Sequence, residues 1–242
     1  MTGTLRDSRH EHPNLLIPGK KPVVPVLIDR SHGIGQHCVL AETFDGIVID
    51  DIKTQLFAYP GSPTTGRQGD AFDFKGSGGA GPTAHTYVQI PNLSSYFNDE
   101  ATLMVRLKKH SLSTDGWMKL DTVSLTSHYP YSGVAYIATF RNDSRFTFAI
   151  SGDPYTDWHW VIVRTKSGGN WEVLVNDVSK VTTAGLSQIY LDSTYNHIGA
   201  GGTTSLYNVN AFMEVAFLFN KYLTDEELHS MREDPYQFLA PI

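Results

Sequence analysis

Three tyrosines sit where turns should expose them, and an aromatic face beside hydrogen-bonding groups suits a sugar ring, whose C–H-rich face packs on a π surface. Tyr129 and Tyr131 belong to His128-Tyr129-Pro130-Tyr131-Ser132-Gly133, and Tyr155 to Asp153-Pro154-Tyr155. They are the candidate glycan contacts. The competing reading packs the same rings at the edge of the protein's own core. Glycoside cleavage would need two carboxyl groups gathered at one place on a sheet. Glu42 with Asp45, and Asp50-Asp51, have the wrong period for a strand face, so no catalytic residue is assigned. Asp153, Asp157, Asp192 and Asn196 fall in loops that could meet around Ca²⁺, but loop acids are ordinarily solvated turn formers, and no metal or cofactor is expected. Gly199-Ala200-Gly201-Gly202 does not open a helix, so it is no phosphate loop. Ser and His are plentiful without a nucleophile-elbow motif.

Composition narrows the classes further. A chain of 242 residues can bury a core without covalent staples, and its one cysteine, Cys38, excludes an intrachain disulfide framework. A net charge of −6 argues against a nucleic-acid partner, since a phosphate binder is usually basic. MTGTLRDSRHEH is polar, with no apolar stretch of a secretory signal. No segment is apolar for long enough to span a bilayer as a helix, so no membrane insertion is expected. The reading is of a soluble protein made in a cytoplasm.

The elements that must position any site are strands. Turn clusters recur about every ten residues and amphipathic helix-length segments are scarce, which favours a sandwich. Val209 to Phe219 is dense in apolar residues and interrupted by Glu214; it reads as a central strand buried on both faces. A short helix follows with two start signals: Thr224 and Glu227 are spaced as a capping box, and Leu223 and Leu228 as a hydrophobic staple. Asp234-Pro235 ends it. Trp158, Trp160 and Ile162 alternate onto one strand face. Asn176-Asp177 suits a turn with a left-handed backbone. Ahead of Cys38, Asn14 to Ile28 is apolar but carries Pro18, Pro22 and Pro25. The prolines disfavour both helix and central strand and leave an extended ribbon. It either wraps along its own domain or docks on a neighbouring subunit.

Several of these stretches resemble the LamG-like domains of the concanavalin A-like lectin/glucanase superfamily. Phe219-Asn220-Lys221-Tyr222-Leu223-Thr224-Asp225-Glu226-Glu227-Leu228 matches that family's closing strand and helix, and Asp234-Pro235-Tyr236-Gln237-Phe238 the ending of its tailed-phage versions. Ile17-Pro18-Gly19-Lys20-Lys21-Pro22 is similar to their opening. Gly69 to Gly76, Tyr87 to Pro91, Asp157 to Val163, Trp171 to Asp177 and Asn196 to Gly199 match internal strands in order. Arg106 stands where the family has a tryptophan. The Glu-x-Asp-x-x-Glu of glycosidases on this fold is missing.

The resemblance implies an all-β fold: an antiparallel β-sandwich (concanavalin A-like jelly roll) over residues 38–242, with one short C-terminal helix, preceded by an extended arm over residues 1–37. It implies a non-catalytic structural protein of a tailed-phage virion. A capsid decoration or head-surface role comes first, with a glycan-binding adhesin or tail-fibre module as the alternative and a glycoside hydrolase as the second. The expected partners are other virion proteins, such as the major capsid protein or tail components, sister copies in an oligomer such as a trimer, and a cell-surface glycan. Leu15, Leu16, Ile17, Pro18, Pro22, Val23, Val24, Pro25 and Val26 of the arm, with Tyr236 and Phe238 of the tail, are the expected assembly residues.

Overall fold

The computed structural model describes residues 21–22, 25–44, 48–49, 55–57, 64–66, 69–74, 87–110, 118–119, 127–131, 133–150, 157–185, 189–191, 196–199, 209 and 211–242. The first half of the chain contributes β1 (Val26–Ile28), β2 (Cys38–Glu42), β3 (Val48–Ile49), β4 (Gln55–Phe57), β5 (Thr64–Gly66) and β6 (Gly69–Phe74). Then come β7 (Tyr87–Ile90), β8 (Glu100–Lys109), β9 (Met118–Lys119), β10 (His128–Tyr131), β11 (Val134–Ile137) and β12 (Phe146–Ala149). The rest is β13 (His159–Lys166), β14 (Asn170–Val175), β15 (Val178–Ala184), β16 (Asn196–Ile198), β17 (Ala211–Phe219), helix α1 (Asp225–Glu233) and β18 (Leu239–Pro241). The fold is an antiparallel β-sandwich with one α-helix among the described residues.

The largest sheet runs β15-β14-β13-β8-β17-β6-β5, with β2 beside the far half of β17. β17 pairs with β8 along one edge and with β6 and then β2 along the other, the central position its apolar run predicts. Both faces of this sheet are covered. One packs on the second layer, formed by the sheets β4-β7-β16-β9 and β10-β11-β12. Leu103, Val105, Val161, Val163, Trp171 and Val173 join Ile90, Ile137 and Ile198 there in one core. The alternate residues, Met104, Trp160, Ile162 and Leu174, face the opposite way into a second core. Trp160 thus lies inside as the alternation requires, while Trp158, just before the strand, is half-buried.

That second core has its own cover, and here the structure departs from the expected arm. β1 pairs antiparallel with β18 and parallel with β3, so part of the presumed arm is the middle strand of a small sheet. Proline excludes a central strand only where an N–H is needed, and Pro25 is the last proline before three residues that keep theirs. Val26 and Phe238 are fully buried and Tyr236 nearly so. All three pack on Phe217, Phe219 and Met231 rather than lying free to anchor a partner. Between β1 and β2 the chain makes a close approach at Gly35, where a side chain would collide with the Asp29 carbonyl. The boundary expected at residue 38 therefore falls inside a packed layer.

Helix α1 holds this cover in place. Thr224 Oγ1 accepts the Glu227 N–H at 3.3 Å and Glu227 returns the bond to the Thr224 N–H at 3.0 Å, the reciprocal box expected. Leu223, Leu228 and Met231 are buried in the second core. The preceding turn is tied down by Thr102, whose hydroxyl donates to the Lys221 carbonyl and accepts the Leu223 N–H.

Candidate functional site

Beyond the buried strip under α1, the outward face of β13, β14 and β15 is left open as a cleft of about 440 Å³. The helix forms its wall with Asp225, Leu228, His229 and Arg232, which at i, i+3, i+4 and i+7 share one helical face. The floor comes from register. Arg164 pairs with Glu172, and Glu172 with Thr182, so these three form a row across three strands. Leu174 and Ser179 form the next row. Residues 179 and 182 differ in parity and would ordinarily face opposite ways. The register shift at Val173/Leu174 lets both line the cleft, with hydroxyls 2.9 Å apart.

The charges in the cleft are already matched to one another. Arg164 donates through Nε to Glu172 at 2.8 Å, through Nη1 to the Leu223 carbonyl at 2.8 Å, and pairs through Nη2 with Asp225 at 2.7 Å. Its guanidinium also lies 4.6 Å from the ring centre of Tyr222, whose hydroxyl donates to Glu172. Burial first, and that bond to Glu172 second, push the Tyr222 phenol up to about 12. Across the cleft Arg232 pairs with Asp177 at 2.5 Å, joining the helix to the β14–β15 turn. That turn carries Asn176 and Asp177 at φ of +53° and +103°, the left-handed backbone their types allow.

Two buried constellations resemble chemistry but have no access. His159 lies 3.1 Å from the Tyr129 hydroxyl through Nε2, with Nδ1 2.8 Å from the Asp157 carbonyl. Both side chains are at or below 1 % exposure. Glu214 is the second. Its carboxylate meets Arg106 on one oxygen and accepts the Tyr236 hydroxyl at 2.9 Å on the other, and Arg106 also lies over Trp158 at 5.2 Å. Burial pushes the Glu214 carboxyl above the usual range against the pull of Arg106 and Tyr236. A raised carboxyl is what a general acid needs, yet this one is fully enclosed.

The residues proposed from sequence fare unevenly. Tyr129, expected on a loop, is fully buried on β10 in the inter-sheet core, so its ring has no face to offer a sugar. Tyr131 lies on the same strand, paired with Val134. Tyr155 lies outside the described residues, as do Asp153, Asp192 and the arm residues Leu15, Leu16, Ile17, Pro18, Val23 and Val24. Pro22 is buried and Pro25 exposed. Asp157 is exposed and Asn196 buried. Among the described residues no three His, Cys, Asp or Glu side chains gather as metal ligands. The cleft is not legible in the sequence: its ten residues come from positions 164 to 232 and share no motif, and only the helical spacing of Asp225, Leu228, His229 and Arg232 signals it.

No family model matches the chain, and no curated protein matches it. Solved structures do. The binding domain of botulinum neurotoxin DC in complex with rat synaptotagmin II is similar at a TM-score of 0.60 and 12 % identity, over 81 % of this chain and 51 % of that one. The same binding domain in complex with SialylT gives 0.60 and 13 %, over 81 % and 51 %. A botulinum neurotoxin type C structure, described by dependence of cell entry on two ganglioside molecules, gives 0.57 and 14 %, over 83 % and 52 %. The chain spans about half the length of these neighbours. At such identity the likeness is one of fold: this chain shares a β-sandwich architecture with these neurotoxin binding domains.

Proposed function

We propose that the chain is a non-catalytic structural protein of a tailed-phage particle, a rigid sandwich carried on the particle surface. The observation that carries this reading is the pairing of β1 with β18, Val26 opposite Pro241. It brings the strand that follows the phage-like opening and the strand that follows the phage-like ending together on one side of the large sheet. The Lys21 ammonium donates to the Thr43 carbonyl at 2.6 Å, so the chain is already tied to the domain at Lys21. The attachment role then falls to residues 1–20, with Leu15, Leu16 and Ile17 as the apolar contacts. Three such side chains would gain roughly 1.5–3 kcal/mol each on burial, against about 1–2 kcal/mol per residue for ordering the backbone. A three-residue apolar run is thus a weak anchor, and firm attachment calls for several copies acting together, as in a trimer. The head surface, on the major capsid protein, is the first location and a tail or fibre component the second.

The test is a complementation series on purified particles, read by mass spectrometry. The full chain should be a stoichiometric particle component, and a form lacking residues 1–20 should fold yet be missing from particles. Full incorporation of the shortened form removes the anchor, and absence of the full chain from particles removes the reading. A second reading, a glycan-binding surface module, is favoured by the polar cleft and by neighbours described with SialylT and gangliosides.

A further inference from the structure

The cleft between α1 and the β13–β15 face has a composition that selects among ligands. Two guanidinium groups, Arg164 and Arg232, stand against three carboxylates, Glu172, Asp177 and Asp225. Each guanidinium is engaged by at least one of them. A phosphate or other strong anion would have to displace these carboxylates, and charged ligands of that kind are ordinarily held by unpaired basic groups. A purely apolar ligand fits no better, since only Leu174 and Leu228 among the ten lining residues are apolar. What remains is an uncharged ligand rich in hydroxyls. It can accept from arginine, donate to carboxylates, and exchange bonds with Ser179 and Thr182.

Three features favour occupation by such a ligand over water alone. The ion pairs hold the donors and acceptors in place beforehand, which lowers the ordering cost of binding. The hydroxyls of Ser179 and Thr182, 2.9 Å apart, present a matched pair to two neighbouring hydroxyls of one ring. The 440 Å³ space lies within the range of small-molecule sites, about 300–1,000 Å³.

We propose that this cleft binds a neutral saccharide of one or two hexose-sized rings. Ser179, Thr182, Asp177 and Arg232 take the hydroxyls, and Leu174 and Leu228 take the ring's apolar face. The inference gives the glycan-binding reading a site and does not depend on the particle assignment. Without an aromatic platform each site is weak, and useful avidity would come from several copies.

Saturation-transfer NMR on the full chain with maltose, cellobiose and lactose tests it. Wild type should transfer saturation to at least one of them. Thr182→Trp, which fills the cleft from an exposed strand position, should weaken binding by about tenfold or more, and Ser179→Ala by about three- to tenfold, the equivalent of one hydrogen bond. Both should leave Tm unchanged. Binding that survives both variants removes the cleft but keeps the glycan reading. Binding of inorganic phosphate in place of sugar overturns the ligand class, and no transfer to any of the three sugars removes both site and glycan reading.

Discussion

Arg106 and Glu214 each break a hydrophobic pattern, one standing where the resembling family has a tryptophan, the other interrupting the most apolar strand of the chain. They are partners, both almost fully buried. β17 also shifts register between Met213 and Val215. Ala211 and Met213 face the inter-sheet core, and beyond the shift it is Ala216 and Leu218 that do. The bulge residue is therefore free to turn its charge toward the cover. Removing one member of a buried pair leaves the other uncompensated. Arg106→Met should lower unfolding free energy by about 3–5 kcal/mol at neutral pH, measured by urea titration. The sign of its pH dependence follows from Glu214. A carboxyl raised by burial is destabilising above its folded pKa, and that cost disappears as pH falls toward the ordinary carboxylate value. The Arg106→Met deficit should shrink on mild acidification, and a deficit that grows would contradict the assignment. Tyr222 gives a second residue-scale test. A difference spectrum between wild type and Tyr222→Phe should show one phenol titrating at about 12.

At the scale of elements, α1 works as a clamp rather than as a free helix. Nine residues are too few to be stable alone. Its box, its buried Leu228 and Met231, and the Arg164 bridge to Glu172 and Asp225 all tie it to the large sheet. Thr224→Ala should cost about 1 kcal/mol through the lost cap. Leu228→Ala should cost about 2–5 kcal/mol through the cavity left behind. Thermal unfolding of both variants checks this, and an unchanged Tm in both would mean that the helix is not docked. Asp225 is 80 % exposed on its side chain, so its half of the bridge is screened and Asp225→Asn should change stability by less than about 1 kcal/mol.

For the whole molecule, the sandwich has a third layer formed by the two segments that flank it in sequence. β1, β18 and α1 cover a sheet face that would otherwise expose Phe217, Phe219, Trp160 and Ile162, an apolar patch of the kind that drives association. Two deletions separate covering from attachment. A chain starting at Lys21 should keep its Tm. A chain starting at Gln36 loses β1 and with it Val26 and Ile28 from the second core, and should aggregate or melt at lower temperature. Equal stability of the two would show that β1 contributes nothing to the cover.

What the sequence determined by itself was local. The capping box, the Asn176-Asp177 turn, the alternation through Trp160 and Ile162, and the central position of β17 depend on neighbours a few residues away, or on the bare fact that a long apolar run must be buried. The identity of the burying partner is not local. Val26, Tyr236 and Phe238 gain the same free energy whether they cover their own sheet or another subunit's, so only the tertiary structure could decide that they turn inward. Tyr129 reads as exposed beside Pro130 and Gly133 until β10 is paired with β11 and its ring faces Phe148 and His159. The cleft needed the most. Arg164, Glu172 and Thr182 align only in the observed register, Ser179 joins them only because of a bulge, and the wall arrives from a helix about fifty residues further on. Pairing register and packing across layers are long-range properties, and no window of the sequence contains them.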